Sequence, residues 1–100
     1  MKIVWTSRAV GELIAIADYI TIHNPAAAIA TRDRIKGAVQ RLSDFAQSGR
    51  PGRVAETREL IVPGTRFVVV YRVRGEHVQI LAIFHAARDW PEGFSPIPLR

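Results

Sequence analysis

Arg58, Glu59, Arg66, Arg72, His85 and Arg88 gather between Thr57 and Trp90, and their types match one chemistry. Cleaving RNA without a metal needs a base for the 2′-hydroxyl, an acid for the leaving oxygen and positive charge against the phosphate, roles that Glu, His and Arg can fill. The same types also line the solvated face of any basic antiparallel sheet. On that plainer reading His85 is a strand-end histidine satisfied by hydrogen bonds, and His23 complements the dipole at a helix C-terminus.

Other chemistries find less support. His23, His77 and His85 lie far apart without metal-ligand spacing, so no metal site is expected. There is no Gly-rich phosphate loop, and no cofactor is expected. Asp and Glu are scattered without a pair for hydrolysis, and Ser43 and Ser48 have no nucleophile context. The chain has 100 residues, nearly half of them apolar, and no cysteine. Such a chain makes one domain with one core, and disulfides and thiolate sites are excluded. The start, Met-Lys-Ile-Val-Trp-Thr-Ser-Arg, has no apolar stretch typical of a leader, and no run reaches the roughly 18 apolar residues of a membrane span. A cytoplasmic location without membrane contact is expected. The net charge of +5 would attract nucleic acid or an acidic protein segment, and also serves solubility.

These side chains must be carried by regular elements. Lys2 to Trp5 alternates like a short strand. Thr6 or Ser7 can cap a helix to about His23, with Val10, Leu13, Ile14, Ala17 and Ile20 at helical spacing. Asn24-Pro25 ends it and starts a second helix, since Asn caps well and Pro at the first helical position loses no hydrogen bond. So short a link makes an antiparallel hairpin. Ala28, Ile35, Ala38, Val39, Leu42 and Phe45 form the apolar stripe of the second helix, expected to stop near Gln47. Ser48 to Glu56 reads as a loop. Three strands follow, Glu59 to Val62, Arg66 to Val73 and Val78 to His85, joined by tight turns at Pro63-Gly64 and Arg74-Gly75-Glu76 and therefore antiparallel. The Pro-rich end suggests an extended tail. The expected fold is α+β, a β-α-α-β-β-β chain with a helix hairpin on a small antiparallel sheet, in a single domain spanning 1–100 with its core at about 2–90 and its tail at 91–100.

Alternation divides the strands into two faces. Phe67, Val69, Tyr71 and Val73 oppose Arg66, Val68, Val70 and Arg72, and Ile80, Ala82 and Phe84 oppose Leu81 and Ile83. Both faces are apolar at mid-strand, whereas a helix hairpin covers one. Val68, Val70, Leu81 and Ile83 are then open unless a segment of another chain, or the tail with Phe94, Ile97 and Leu99, lies over them. Trp5 reads as core and Tyr71 as structural, and Trp90 either packs back on the sheet or anchors a partner.

The order of these pieces resembles the RelE/ParE superfamily of toxins from bacterial toxin–antitoxin modules over about Trp5 to Pro91. The resemblance rests on Asn24-Pro25-Ala26-Ala27, Gly49-Arg50-Pro51-Gly52-Arg53, Thr57-Arg58-Glu59-Leu60, Val70-Tyr71-Arg72-Val73 and His85-Ala86-Ala87-Arg88-Asp89-Trp90. RelE-like members are ribosome-dependent messenger ribonucleases, and ParE-like members poison DNA gyrase by binding. RelE-like nucleases place an arginine three residues before the strand tyrosine and a tyrosine near the C-terminus. Here Val68 stands at the first position and no tyrosine follows Tyr71. Arg66 shares the face of Val68 but sits about 7 Å along the strand, too far for catalysis, where about 1 Å already matters. The resemblance therefore implies a ParE-like toxin, with target contacts at Arg50, Arg53, Arg88 and Trp90. The alternative is a RelE-like ribonuclease using Glu59, Arg66, His85 and Arg88, and a third possibility is an inactive antitoxin-binding module. Each implies a cognate antitoxin as partner, with apolar anchors against Leu13, Ile20, Val68, Val70, Leu81 and Ile83, alongside gyrase or, in the alternative, the ribosome with its messenger.

Overall fold

The computed structural model describes residues 1–86. Arg88, Trp90 and the expected tail at 91–100 lie outside the described residues. The elements run β1 (Lys2–Trp5), α1 (Ser7–His23), α2 (Pro25–Arg41), β2 (Arg50–Pro51), β3 (Arg58–Ile61), β4 (Phe67–Arg74) and β5 (His77–His85). The α+β class stands, and the three long strands fall within a residue of their expected bounds.

Local chemistry explains the helix ends. Thr6 has extended backbone angles, and its Oγ1 accepts from the Ala9 amide at 3.2 Å, so it is the cap of α1. Asn24 serves both helices: its N–H donates to Ile20 O at 2.8 Å, and its Oδ1 accepts from the Ala27 amide at 3.1 Å. Pro25 then opens α2, where no N–H is needed. The second helix stops sooner than expected. The amides of Leu42, Ser43 and Asp44 bond three residues back, to Val39, Gln40 and Arg41, which winds the chain more tightly than an α-helix. The 3.6-residue period is lost, and Phe45, expected on the buried stripe, is 64% exposed.

The sheet has five strands in the order β1-β5-β4-β3-β2. It is mixed rather than wholly antiparallel, because β1 pairs with β5 in parallel. The two tight turns dictate the direction of β5, whereas β1 joins from the other end of the chain, free of a hairpin constraint. The segment expected as a loop also contributes β2, whose Arg50 and Pro51 pair with Glu59 and Arg58. A two-residue edge strand containing proline offers little to another chain's backbone.

A bulge in β5 changes which side chains share a face. Val70 pairs with Ala82 but Tyr71 with Ile80, leaving Leu81 without a partner on β4. Such an extra residue reverses the in-out alternation beyond it. Val78, Ile80 and Ile83 therefore join Ala9, Ile35, Val39, Leu42, Val69 and Tyr71 in the core beneath the helices. Leu81 and Ala82 instead cluster with Val70 on the opposite face, with Phe84 packed against them. Because β1 ends opposite Ile80, side chains finish that edge of β5: Thr6 Oγ1 donates to Ile80 O at 2.7 Å, and the Ile83 amide donates to Glu12 Oε1 at 2.9 Å.

The expected open face is corrected accordingly. Ile83 lies under the helices, and Val68, Val70 and Leu81 are 1%, 0% and 4% exposed. Leu13 is half-buried against the main core and Ile20 is half-buried. Outward apolar side chains of the hairpin are instead Val10, Ile14, Tyr19, Ile22 and Ile29.

Candidate functional site

A cationic corner forms where β2 and the segment after it fold against β3. Pairing of Arg50 with Glu59 sets an arginine beside the Glu59 carboxylate. Glu59 Oε1 accepts from Arg50 Nη2 at 3.1 Å, and Oε2 accepts from the Arg53 amide at 3.0 Å and from Arg53 Nε at 3.3 Å. The Arg53 guanidinium also lies 5.4 Å from the centre of the Phe84 ring, a cation–π distance. Glu59 is 3% exposed. Burial alone pushes its carboxyl upward, but the Arg53 amide and the Arg50 and Arg53 guanidiniums outweigh that and hold it below its ordinary value. It stays ionised, with each oxygen engaged by a donor.

Hydrogen bonds within the segment keep the corner in shape. Gly52 N–H donates to Thr57 O at 2.8 Å, Thr57 Oγ1 to Val54 O at 2.6 Å, and Arg58 Nη1 to Gly49 O at 2.7 Å. Tyr71, fully buried on β4, reaches across: its Oη donates to Ala46 O at 2.8 Å and accepts from Gly49 N–H at 2.9 Å. Burial raises the pKa of its phenol, so the hydroxyl remains neutral. Gly49 has no side chain for a plain reason, since a Cβ there would stand 2.6 Å from Tyr71 Oη. The carboxylate, the aromatic ring and the tyrosine thus preset Arg50 and Arg53 before any partner arrives.

The predicted site residues are redistributed by this geometry. Glu59, a proton carrier only in the ribonuclease alternative, anchors Arg50 and Arg53, the expected target contacts. Register places Glu59 opposite Val70, on the face away from the helices, and Arg66 lies on that side by alternation with Val68. His85 does not join them. Beyond the bulge it pairs with Phe67, stacking edge-on at 5.3 Å between ring centres, on the helix side of the sheet. With an unbroken alternation it would have shared the face of Glu59. The signal for the bulge was hidden because residues 80–84 are all apolar, so a change of face leaves no mark. Among the described residues no three His, Asp or Glu side chains group to hold a metal ion, and no helix is long and apolar enough to cross a membrane.

Comparison with known proteins agrees with this architecture. Residues 3–90 match the family described as the ParE toxin of the type II toxin–antitoxin system parDE. Y4kP of Sinorhizobium fredii is 40% identical over 91 residues, covering 91% of this chain and 94% of that protein. The protein named Toxin RelE2 of Caulobacter vibrioides is 40% identical over 87 residues, covering 87% of this chain and 97% of its own. A solved chain of the chromosomal ParDE toxin–antitoxin system from P. aeruginosa superimposes with a TM-score of 0.78 at 31% identity, over 85% of this chain and 95% of that one. With the family match spanning residues 3–90 and the superposition covering most of both chains, the chain belongs to the ParE toxin family of type II toxin–antitoxin systems.

Proposed function

We propose that this toxin acts by binding DNA gyrase and stabilising its cleaved complex with DNA, and that a cognate antitoxin neutralises it. The observation that carries this reading is that Glu59 and His85, two members of the nuclease set, do not converge. Glu59 is saturated and ionised, His85 is across the sheet from it, and Val68 occupies the arginine position as a buried residue. A ribonuclease needs base, acid and cation around one phosphate, whereas a binding protein needs only a preformed surface. Arg50 and Arg53, held by Glu59, supply one such edge. Supercoiling by purified gyrase is the test: inhibition at micromolar toxin supports the reading, and unimpaired supercoiling at that concentration defeats it.

The name of the Caulobacter relative, Toxin RelE2, favours a second reading as a ribosome-dependent messenger ribonuclease. Cleavage of a defined messenger on translating ribosomes, abolished by His85→Ala and Arg88→Ala, would establish it. A chain that leaves growth unimpaired when expressed alone would be an inactive antitoxin-binding module. The antitoxin contact on each reading is the helix hairpin, where Val10, Ile14 and Ile22 are 41%, 54% and 77% exposed. Apolar anchors on an amphipathic segment would cover them, and acidic residues would suit the chain's positive charge.

A further inference from the structure

Some of the charge that no carboxylate neutralises lies on the sheet, away from this corner. Arg50 and Arg53 share one carboxylate, and Arg8 and Arg32 pair with Glu12 and Asp33. Lys2, Arg72 and Arg74 make no ion pair among the described residues. Strand register gathers these three at one end of the sheet. Arg74 pairs with His77 across β4 and β5, and His77 with Lys2 across β5 and β1, so the three share a face. Arg72, two residues from Arg74, joins the same face, and its Nε donates to Gln79 Oε1 at 2.6 Å. That bond orients the guanidinium and leaves its charge intact. Lys2, Arg74 and His77 are exposed and Arg72 is half-buried. Glu76, in the turn between the strands, offsets part of the charge.

We propose that this end of the sheet binds the phosphate backbone of duplex DNA. Two positions on one strand face are about 7 Å apart and three adjacent strands span about 10 Å, a footprint that long side chains extend over phosphates following every 3.4 Å or so of a DNA strand. The members of the strip, Lys2, Val4, Arg72, Arg74, His77 and Gln79, include no Phe, Tyr or Trp on which unpaired bases could stack. The cavity at that end is lined by Met1, Lys2, Glu76 and His77, which offers an acidic peptide one apolar side chain and a repelling carboxylate. A sequence-independent grip on a duplex is what remains, and it places the toxin against the DNA rather than only against a protein target.

The proposal goes beyond gyrase binding and is tested apart from it, with the full chain and a fluorescein-labelled duplex of about 20 base pairs, read by anisotropy against salt. Three phosphate contacts predict a log–log slope near −2.7, falling to about −0.9 for the Lys2→Ala/Arg74→Ala variant, which should bind about 100-fold more weakly at about 50 mM salt. Arg32→Ala, on the helix hairpin, should match the unaltered chain. Thermal unfolding checks that each variant is folded. A slope near zero for the unaltered chain, or a double variant that binds as tightly, overturns the proposal. So does tighter binding to a single-stranded RNA of equal length, or a loss confined to antitoxin binding. Duplex binding without effect on supercoiling keeps the strip and removes the gyrase reading, and inhibition without duplex binding does the reverse.

Discussion

Replacing Tyr71 by Phe tests the link between sheet and cationic corner. The change leaves the ring in place and removes one oxygen, which donates to Ala46 O at 2.8 Å and accepts from Gly49 N–H at 2.9 Å. The ring is fully buried and so is Gly49, which leaves water little access to the orphaned Gly49 N–H, whereas Ala46 is half-buried. The lost bond to Ala46 O is worth about 1 kcal/mol, and the buried Gly49 donor left without a partner costs about 1–3 kcal/mol in place of its own bond. The sum is about 2–4 kcal/mol, against a total stability of about 5–15 kcal/mol for a domain of this kind. Urea unfolding should show a lower midpoint with an unchanged slope, and Tm should fall by about 8–32 °C at about 4–8 °C per kcal/mol. Amide exchange at Gly49 should quicken. Toxicity should persist below the lowered melting temperature, because the hydroxyl shapes the corner and takes no chemical step. A stability loss under about 0.5 kcal/mol, or a variant that melts normally and is inert, would refute this reasoning.

Gly49→Ala attacks the same contact from the other side. Its Cβ would meet Tyr71 Oη at 2.6 Å and a ring carbon at 2.8 Å, so a loss of about 1–3 kcal/mol is expected in urea melts, as for other overpacked sites. Glu59→Gln removes the charge shared by Arg50 and Arg53. Because the folded carboxyl titrates below its ordinary value of 4.5, its contribution is full above that pH and is lost as pH falls through the lower folded value. The variant should therefore be less stable at neutral pH and should lose less than the unaltered chain on acidification below about pH 4.5, measured by thermal melts across pH. Ile14→Glu, at a position 54% exposed, should change stability by less than about 0.5 kcal/mol. It should weaken antitoxin binding at least about tenfold, or about 1.4 kcal/mol, by calorimetry.

Much of the fold was legible along the chain because its signals are local. Thr6 and Asn24-Pro25 mark helix ends through side chain and backbone chemistry within three residues, and Gly64 and Gly75, with φ of 76° and 58°, mark turns that only glycine enters at little cost. The short strand β2 was missed because two residues carry no alternation. The premature end of α2 was missed because i to i−3 bonding leaves the apolar pattern of Leu42 and Phe45 looking helical. Exposure of the second face was overestimated because alternation assigns side chains to faces without saying how closely neighbours crowd them.

By itself the sequence determined the order of the elements other than β2, the lack of cysteine, the positive charge and the valine at position 68, because each depends on residue type or on neighbours near in the chain. Tertiary structure alone decided which distant side chains meet. One unpaired residue, Leu81, turns His85 to the helix side of the sheet, and one cross-strand pair, Arg50 with Glu59, makes the proton carrier of the ribonuclease alternative the anchor of a basic edge. Both outcomes hang on register between strands, and register is settled by packing and hydrogen bonds across the sheet rather than by spacing within a strand.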